Sequence, residues 1–261
     1  MKETKSYLDL GSQVDDYLGI YYKNIQLTSA ENCLKLIEQK VAAKYVDAAN
    51  DPTLLDTLMR AHAITRRYIL DYAPYEDAGL KFMEVQKYLE IPCRTKNGID
   101  FILEGYIDLL VQEEKTGDLY IWDHKVTGAG KGPGKFWNPI QVLMDSQTPT
   151  YQAGLRAMGI PVAGIVINQL NAYKYKEEPP TEKIFMRHTT HRTQAELDNI
   201  LRELSYAVDE MEHLRTTGVY RRSLSKDCDS CWYQEPCLLN MKGLSMEPLL
   251  EANYKKKEPK K

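Results

Sequence analysis

The stretch EGYIDLLVQEEKTGDLYIWDHKVTG, residues 104–128, constrains the fold more than any other. One arm carries Ile107, Leu109, Leu110 and Val111, the other Ile121, Trp122 and Val126. Both read as strands apolar on two faces, the pattern of a covered central sheet. With the hairpin tip between Lys115 and Thr116, Asp108 falls directly across from Asp123. Alternate residues share a face, so Lys125 joins them. Opposed Cβ atoms lie about 4.5–5.5 Å apart, close enough for two carboxylates to grip one divalent cation. Without a cation the pair repels in a low-dielectric layer and one member takes up a proton. An oxygen-rich donor set suits magnesium or manganese. In the plainer reading Asp123 and Lys125 are ordinary cross-strand charges and Asp108 is a hairpin-edge residue; the matched register and apolar flanks weigh against it.

The rest of the chain arranges itself around this hairpin. Residues 8–22, 30–48 and 53–72 carry apolar positions at helical spacing, with Leu34, Ile37, Val41 and Tyr45 on one stripe. Thr28 or Ser29 opens the second of these helices. Residues 80–94 and 99–112 are strands joined at Asn97-Gly98, a hairpin turn signal, and residues 119–127 are a third strand. A Gly/Lys loop follows, then a helix near 146–158 and an apolar strand starting at VAGIVINQLN. Thr193 with Glu196 makes a capping box for a helix reaching about Arg215. This order predicts an α/β domain with a mixed central sheet flanked by helices. The expected division is a helical region over 1–78, a core over 79–217, an irregular Cys-rich segment over 218–245 and a basic flexible tail over 246–261.

Composition narrows the function classes. At 261 residues the chain can bury a full core, and 43% hydrophobic with 27% charged residues is ordinary globular usage. No run approaches the roughly 18 apolar residues of a membrane span, and the start MKETKSYLDL carries no secretory signal. Both point to an intracellular, cytoplasmic protein. A net charge of -3 announces no nucleic-acid binding, so such a partner has to be argued from local residues.

Gly105-Tyr106-Ile107-Asp108, followed after a turn by Trp122-Asp123-His124-Lys125, resembles the PD-(D/E)xK nuclease signature. The order of elements matches that restriction-endonuclease-like fold. The branch it is most similar to is the RecB-like nucleases, which include AddB-type recombination exonucleases and the iron–sulfur nucleases of CRISPR adaptation. Gln147 and Tyr151 resemble that branch's Gln-xxx-Tyr motif on the helix after the third strand. With Ser146 as N-cap they lie four apart on one helical face, holding a DNA phosphate or ordering the site; otherwise they are a helix start and a core tyrosine. LDLGSQVDDYLGIYY resembles the segment carrying a Gly-xxx-His metal ligand, with Asp15 standing where the histidine would be. Cys228, Cys231 and Cys237, spaced C-x2-C-x5-C, are similar to the trio that holds a [4Fe–4S] cluster, with zinc as the other soft-metal reading. Cys33 and Cys93 are the remaining cysteines for a fourth ligand, although packing accounts for either.

The resemblance implies Mg2+ or Mn2+ held by Asp108, Asp123 and the His124 carbonyl, with Asp15 completing the set. Lys125 is then an electrostatic partner of the reacting phosphate. The implied activity is exonuclease action on DNA, single-stranded or with free ends, in a bacterial or phage-infected cell. Recombination, replication or CRISPR proteins are the implied partners. The rival is a decayed nuclease fold that binds DNA or scaffolds without cutting, and a third reading is a zinc-stabilised interaction protein. Lys131 and Lys135 in the Gly-rich loop, with Arg221 and Arg222 near the cysteines, are candidate DNA contacts. That loop lacks the G-x4-G-K-[ST] pattern, which disfavours nucleotide hydrolysis. His188 and His191, beside Arg187 and Arg192, read as a zinc pair or as a polar strand-to-helix junction touching phosphate.

Overall fold

The structure, a computed structural model, describes residues 6–128, 134–218, 224–225, 228–229 and 231–255. Lys5–Glu212 forms one compact unit, and His213–Lys261 belongs to a second.

The first unit opens with helices α1 (Ser6–Asn24), α2 (Ala30–Asp47) and α3 (Pro52–Arg67). Their starts follow from capping chemistry. Ser29 Oγ accepts the Asn32 N–H at 3.3 Å, and Asp51 Oδ1 accepts the Thr53 and Leu54 N–H groups at 3.0 Å. A π-helical turn (Tyr68–Tyr72) and the short α4 (Ala73–Glu76) lead into the sheet. Strands β1 (Leu80–Arg94), β2 (Asp100–Glu113) and β3 (Leu119–Thr127) are consecutive and antiparallel. The β1–β2 turn has Gly98 at φ +85, a left-handed conformation that glycine adopts without steric cost. Helices α5 (Pro139–Leu143) and α6 (Gln147–Ala157) then carry the chain to β4 (Val162–Asn171), which runs parallel to β3. Strand β5 (Phe185–Thr190) closes the sheet antiparallel to β4, giving the order β1-β2-β3-β4-β5. Helix α7 (Gln194–Thr217) begins at the expected capping box: Glu196 accepts the Thr193 N–H, and Thr193 Oγ1 accepts the Glu196 N–H.

The two faces of this sheet pack against different helices. Trp122, Leu109, Val166 and Leu170 join Tyr17, Leu18, Tyr22, Ile37 and Tyr68 of the N-terminal helices in the main core. Ile121, Ile107, Leu89 and Ile91 pack with Leu155 of α6. Each layer buries apolar area that neither helix set could cover alone. The fold is thus the α/β arrangement of a mixed sheet flanked by helices that the sequence predicts, with β5 as a fifth strand that it does not place, and it is consistent with the restriction-endonuclease-like architecture.

Three local expectations are corrected. Ser146 stands at the N-cap of α6 as expected but makes no side-chain capping bond; Asp145 does, accepting the Thr148 N–H at 3.1 Å and its hydroxyl at 2.6 Å. The segment 218–245 is not irregular throughout, because Gln234–Met241 forms α8. Glu247–Asn253 forms α9 inside the stretch expected to be a tail. In both, a proline (Pro236, Pro248) sits in the first turn, where no intrahelical N–H is needed.

Candidate active site

The hairpin register is the one that the sequence predicts. Leu109 pairs with Trp122, Leu110 with Ile121 and Val111 with Tyr120, so the next positions outward are Asp108 and Asp123. There the backbone ladder stops and a side chain takes over: Asp108 Oδ2 accepts the His124 N–H at 2.6 Å. β2 also turns over at this point. Ile107 packs toward α6, whereas Leu109, two residues on, packs toward the N-terminal helices. The strands therefore part at Asp108 and open a fork lined by carboxylates.

On β3 alternation does the sorting. Trp122 and His124 face the N-terminal helices, Asp123 and Lys125 the side of α6. Asp123 is 7% exposed, and its Oδ2 lies 2.7 Å from Lys125 Nζ. The ammonium also donates to Gln147 Oε1 at 3.3 Å and sits 5.6 Å from the centre of the Trp137 ring. Gln147 thus meets Lys125 as expected. Tyr151, one turn further along α6, crosses to β2, where its ring lies over Gly105; any Cβ at 105 would collide with it. The glycine of the Gly105–Asp108 motif is explained by that crossing.

Asp15 reaches the site from α1, within electrostatic range of both Asp108 and Asp123. Burial pushes the Asp108 carboxyl well up, and Asp15 and Asp123 push it further. Burial likewise raises Asp123, against the pull of Lys125. Burial works against the Lys125 ammonium, yet Asp123, Asp145 and Asp108 together hold its pKa above the ordinary lysine value. The lysine is therefore a standing cation at neutral pH and a poor general base. His124, stacked on Tyr22 with its Nδ1 2.9 Å from Asn168 Nδ2, has its pKa pushed down to about 3 by burial, Arg187 and Lys125.

Whether these groups suit a metal follows from the donor set. Asp108 and Asp123 are hard oxygen donors, crowded together with Asp15 against the ammonium of Lys125, with Lys23 drawing on Asp15. This is the chemistry that a divalent cation relieves. Among the described residues, however, no three His, Cys, Asp or Glu side chains are gathered into a closed ligand group. The donors fit in kind and in charge.

The remaining candidates divide. Cys33 is fully buried in the main core, its thiol toward the Tyr21 carbonyl at 3.9 Å, which removes it as a cluster ligand. Cys93 packs half-buried against the α6-side core. Cys228, Cys231 and Cys237, none of them in a disulfide, belong to the second unit, where a turn (Cys231 N–H to Cys228 O, 3.2 Å) and the first turn of α8 link them. Lys135 is exposed; Lys131, Arg221 and Arg222 lie outside the described residues. Arg187 is no phosphate contact: it is turned inward onto Asp77 at 2.6 Å, with its guanidinium 4.3 Å from the Trp122 ring. Arg192 is spent on Glu196 and the Leu143 carbonyl. His191 Nδ1 lies 3.3 Å from the Ala163 carbonyl oxygen.

The sequence reading missed Trp137, Gln169 and Gln86. Gln169, fully buried on β4, accepts the Trp137 N–H at 2.6 Å and so fixes the ring beneath Lys125. Its signal was present, since Asn168, Gln169 and Asn171 interrupt an otherwise apolar buried strand.

The model of the PD-(D/E)XK nuclease superfamily matches residues 1–238. The chain belongs to that superfamily. Membership makes it a nuclease by descent, with phosphodiester hydrolysis as the family's reaction and divalent metal ions as its usual cofactors. Among solved structures it is similar to the crystal structure of a "Putative exonuclease" from Eubacterium rectale, with 17% identity and a TM-score of 0.48 over 100% of this chain and 79% of that one. No curated protein matches the sequence. No helix among the described residues is long and apolar enough to cross a membrane.

Proposed function

We propose that this superfamily member is a metal-dependent DNA exonuclease of the RecB-like branch. The observation that carries the reading is the fork where Asp108 and Asp123 crowd against a lysine held in its charged form. Asp108 and Asp123 would hold magnesium or manganese, with the His124 carbonyl and Asp15 as further oxygen donors. Bound there, such an ion supplies Lewis-acid polarisation of the phosphate and a water acidic enough to attack at neutral pH. In the displacement, the water oxygen forms a bond to phosphorus while the bond to the leaving nucleotide oxygen breaks. Lys125 offsets the negative charge that develops on the phosphoryl oxygens, a role for which its raised pKa suits it. Gln147 and Trp137 keep the ammonium aimed, and Tyr151 braces α6 on β2. DNA with free ends is the proposed substrate, within recombination, replication or CRISPR-type processing. Cys228, Cys231 and Cys237 are proposed to bind an iron–sulfur cluster or zinc.

A second reading, a DNA-binding scaffold that has lost cleavage, draws on the absence of a closed three-residue ligand group among the described residues. One experiment separates the two. Mg2+- or Mn2+-dependent shortening of single- and double-stranded DNA is measured for the wild type and for Asp123→Asn and Lys125→Ala. The nuclease reading expects metal-dependent product from the wild type and loss in both variants. Binding without product in the wild type favours the scaffold.

A further inference from the structure

A side chain outside the motif set is tied to Asp15, and it comes from a contorted point of the sheet. Gln86 has φ +51, the only left-handed backbone among the described non-glycine residues. On the neighbouring strand Val85 pairs with Leu109 and Lys87 with Ile107, so Gln86 stands opposite Asp108, where β2 turns over. An amide side chain gains nothing locally from that conformation, and residues held there are over-determined by their surroundings.

What surrounds Gln86 is one face of α1. Asp15, Gly19 and Lys23 are four residues apart and lie in line on that face. The Gln86 side chain spans all three. Its Nε2 donates to the Asp15 carboxylate Oδ2 at 3.4 Å and to the Asp15 carbonyl at 3.2 Å. Its Oε1 accepts from Lys23 Nζ at 3.0 Å. Between these ends the amide crosses Gly19, where a Cβ would stand 2.6 Å from three of its atoms. The polarity is matched end for end: donor against carboxylate, acceptor against ammonium. A glutamate would lose the donor, and any larger residue at 19 would evict the amide.

We propose that Gln86 is a positioning residue that holds Asp15 in place beside Asp108 and Asp123, with Gly19 as the slot that admits it. This deepens the proposed function and rests on it, because Asp15 matters to the chemistry only if the fork binds a cation. Groups that orient a metal ligand from behind commonly change metal affinity by about 10–100-fold when removed. The slot also yields a variant that separates this role from folding. Gly19→Ala improves helix propensity and meets only the far end of a flexible side chain, yet it takes the space that the amide occupies.

The test is Mn2+ affinity, read from the electron paramagnetic resonance of free Mn2+ added to chelator-treated protein. Wild type, Asp123→Asn, Asp15→Asn, Gln86→Ala, Gly19→Ala and the Asp15→Asn/Gln86→Ala double variant are compared, with the melting temperature of each recorded alongside. Gln86→Ala and Gly19→Ala should each weaken Mn2+ binding about tenfold, Gly19→Ala without a lower melting temperature. The double variant should bind no more weakly than Asp15→Asn alone. Wild-type affinity in Gln86→Ala or Gly19→Ala, or losses that add in the double variant, overturns the positioning role while leaving the nuclease reading intact. Mn2+ binding that is absent from the wild type, or indifferent to Asp123→Asn, overturns both.

Discussion

Buried charge lies against both faces of strand β3, and the two faces are built to opposite rules. Behind Trp122 and His124 lies a balanced network. Arg187 gives its guanidinium hydrogens to Asp77 at 2.6 Å, the Tyr68 hydroxyl at 2.6 Å, the Glu76 carbonyl at 2.9 Å and Asn168 Oδ1 at 3.2 Å. In front, Asp108 and Asp123 share one nearby ammonium, with Asp15 and Asp145 adding further negative charge. A charge-matched ion pair fixes a structure. An acid-heavy fork instead leaves negative charge that a divalent cation would offset, the kind of imbalance that functional sites concentrate.

The largest effect expected from this contrast is on stability and belongs to the balanced side. Arg187→Ala leaves Asp77 buried without its cation and should cost about 3–5 kcal/mol, measured from the urea midpoint. A loss below about 1 kcal/mol would mean that the network is ornamental. The next effect belongs to the fork and is on rate. Lys125→Met should reduce metal-dependent DNA cleavage about 10²–10³-fold at saturating DNA while leaving the fold intact by circular dichroism. Equal damage to stability from both variants would erase the distinction.

The smallest effect concerns His124, which touches both sides. Its folded pKa of about 3 lies below the roughly 6.5 of an unfolded histidine, so the unfolded chain takes up the proton first. Stability from this residue is therefore present above pH 6.5 and is lost as pH falls below it, by up to about 1.4 kcal/mol per pH unit. Comparing His124→Gln with wild type cancels the opposing contribution of the aspartates. The stability advantage of wild type should shrink between pH 6.5 and 5, and a difference independent of pH would refute the assignment.

The contrast also explains what could be read from the chain. Asp108, Asp123 and Lys125 were legible because a hairpin register is set by local alternation and a short turn, and both held. Asn97-Gly98 and the Thr193–Glu196 box were legible for the same local reason. Arg187 was not: beside His188 it looks like surface base, and only Trp122 and Asp77, 65 and 110 positions away in sequence, show that it is interior. Gln86 hid behind a backbone kink that no propensity announces. Trp137 depends on an amide 32 residues distant. Where a role depends on a partner brought in by tertiary structure, the residue's type alone says little.

The most direct test of the acid-heavy fork is the melting temperature of chelator-treated protein titrated with Mn2+ at neutral pH. A cation that binds the folded state alone stabilises it by about 2.7 kcal/mol at one hundred times its Kd. Stabilisation of the wild type that grows with the logarithm of Mn2+ concentration above its Kd, disappears in Asp123→Asn and survives in Arg187→Ala is the predicted result. A wild type that Mn2+ does not stabilise, or an Asp123→Asn protein stabilised equally, would contradict the account.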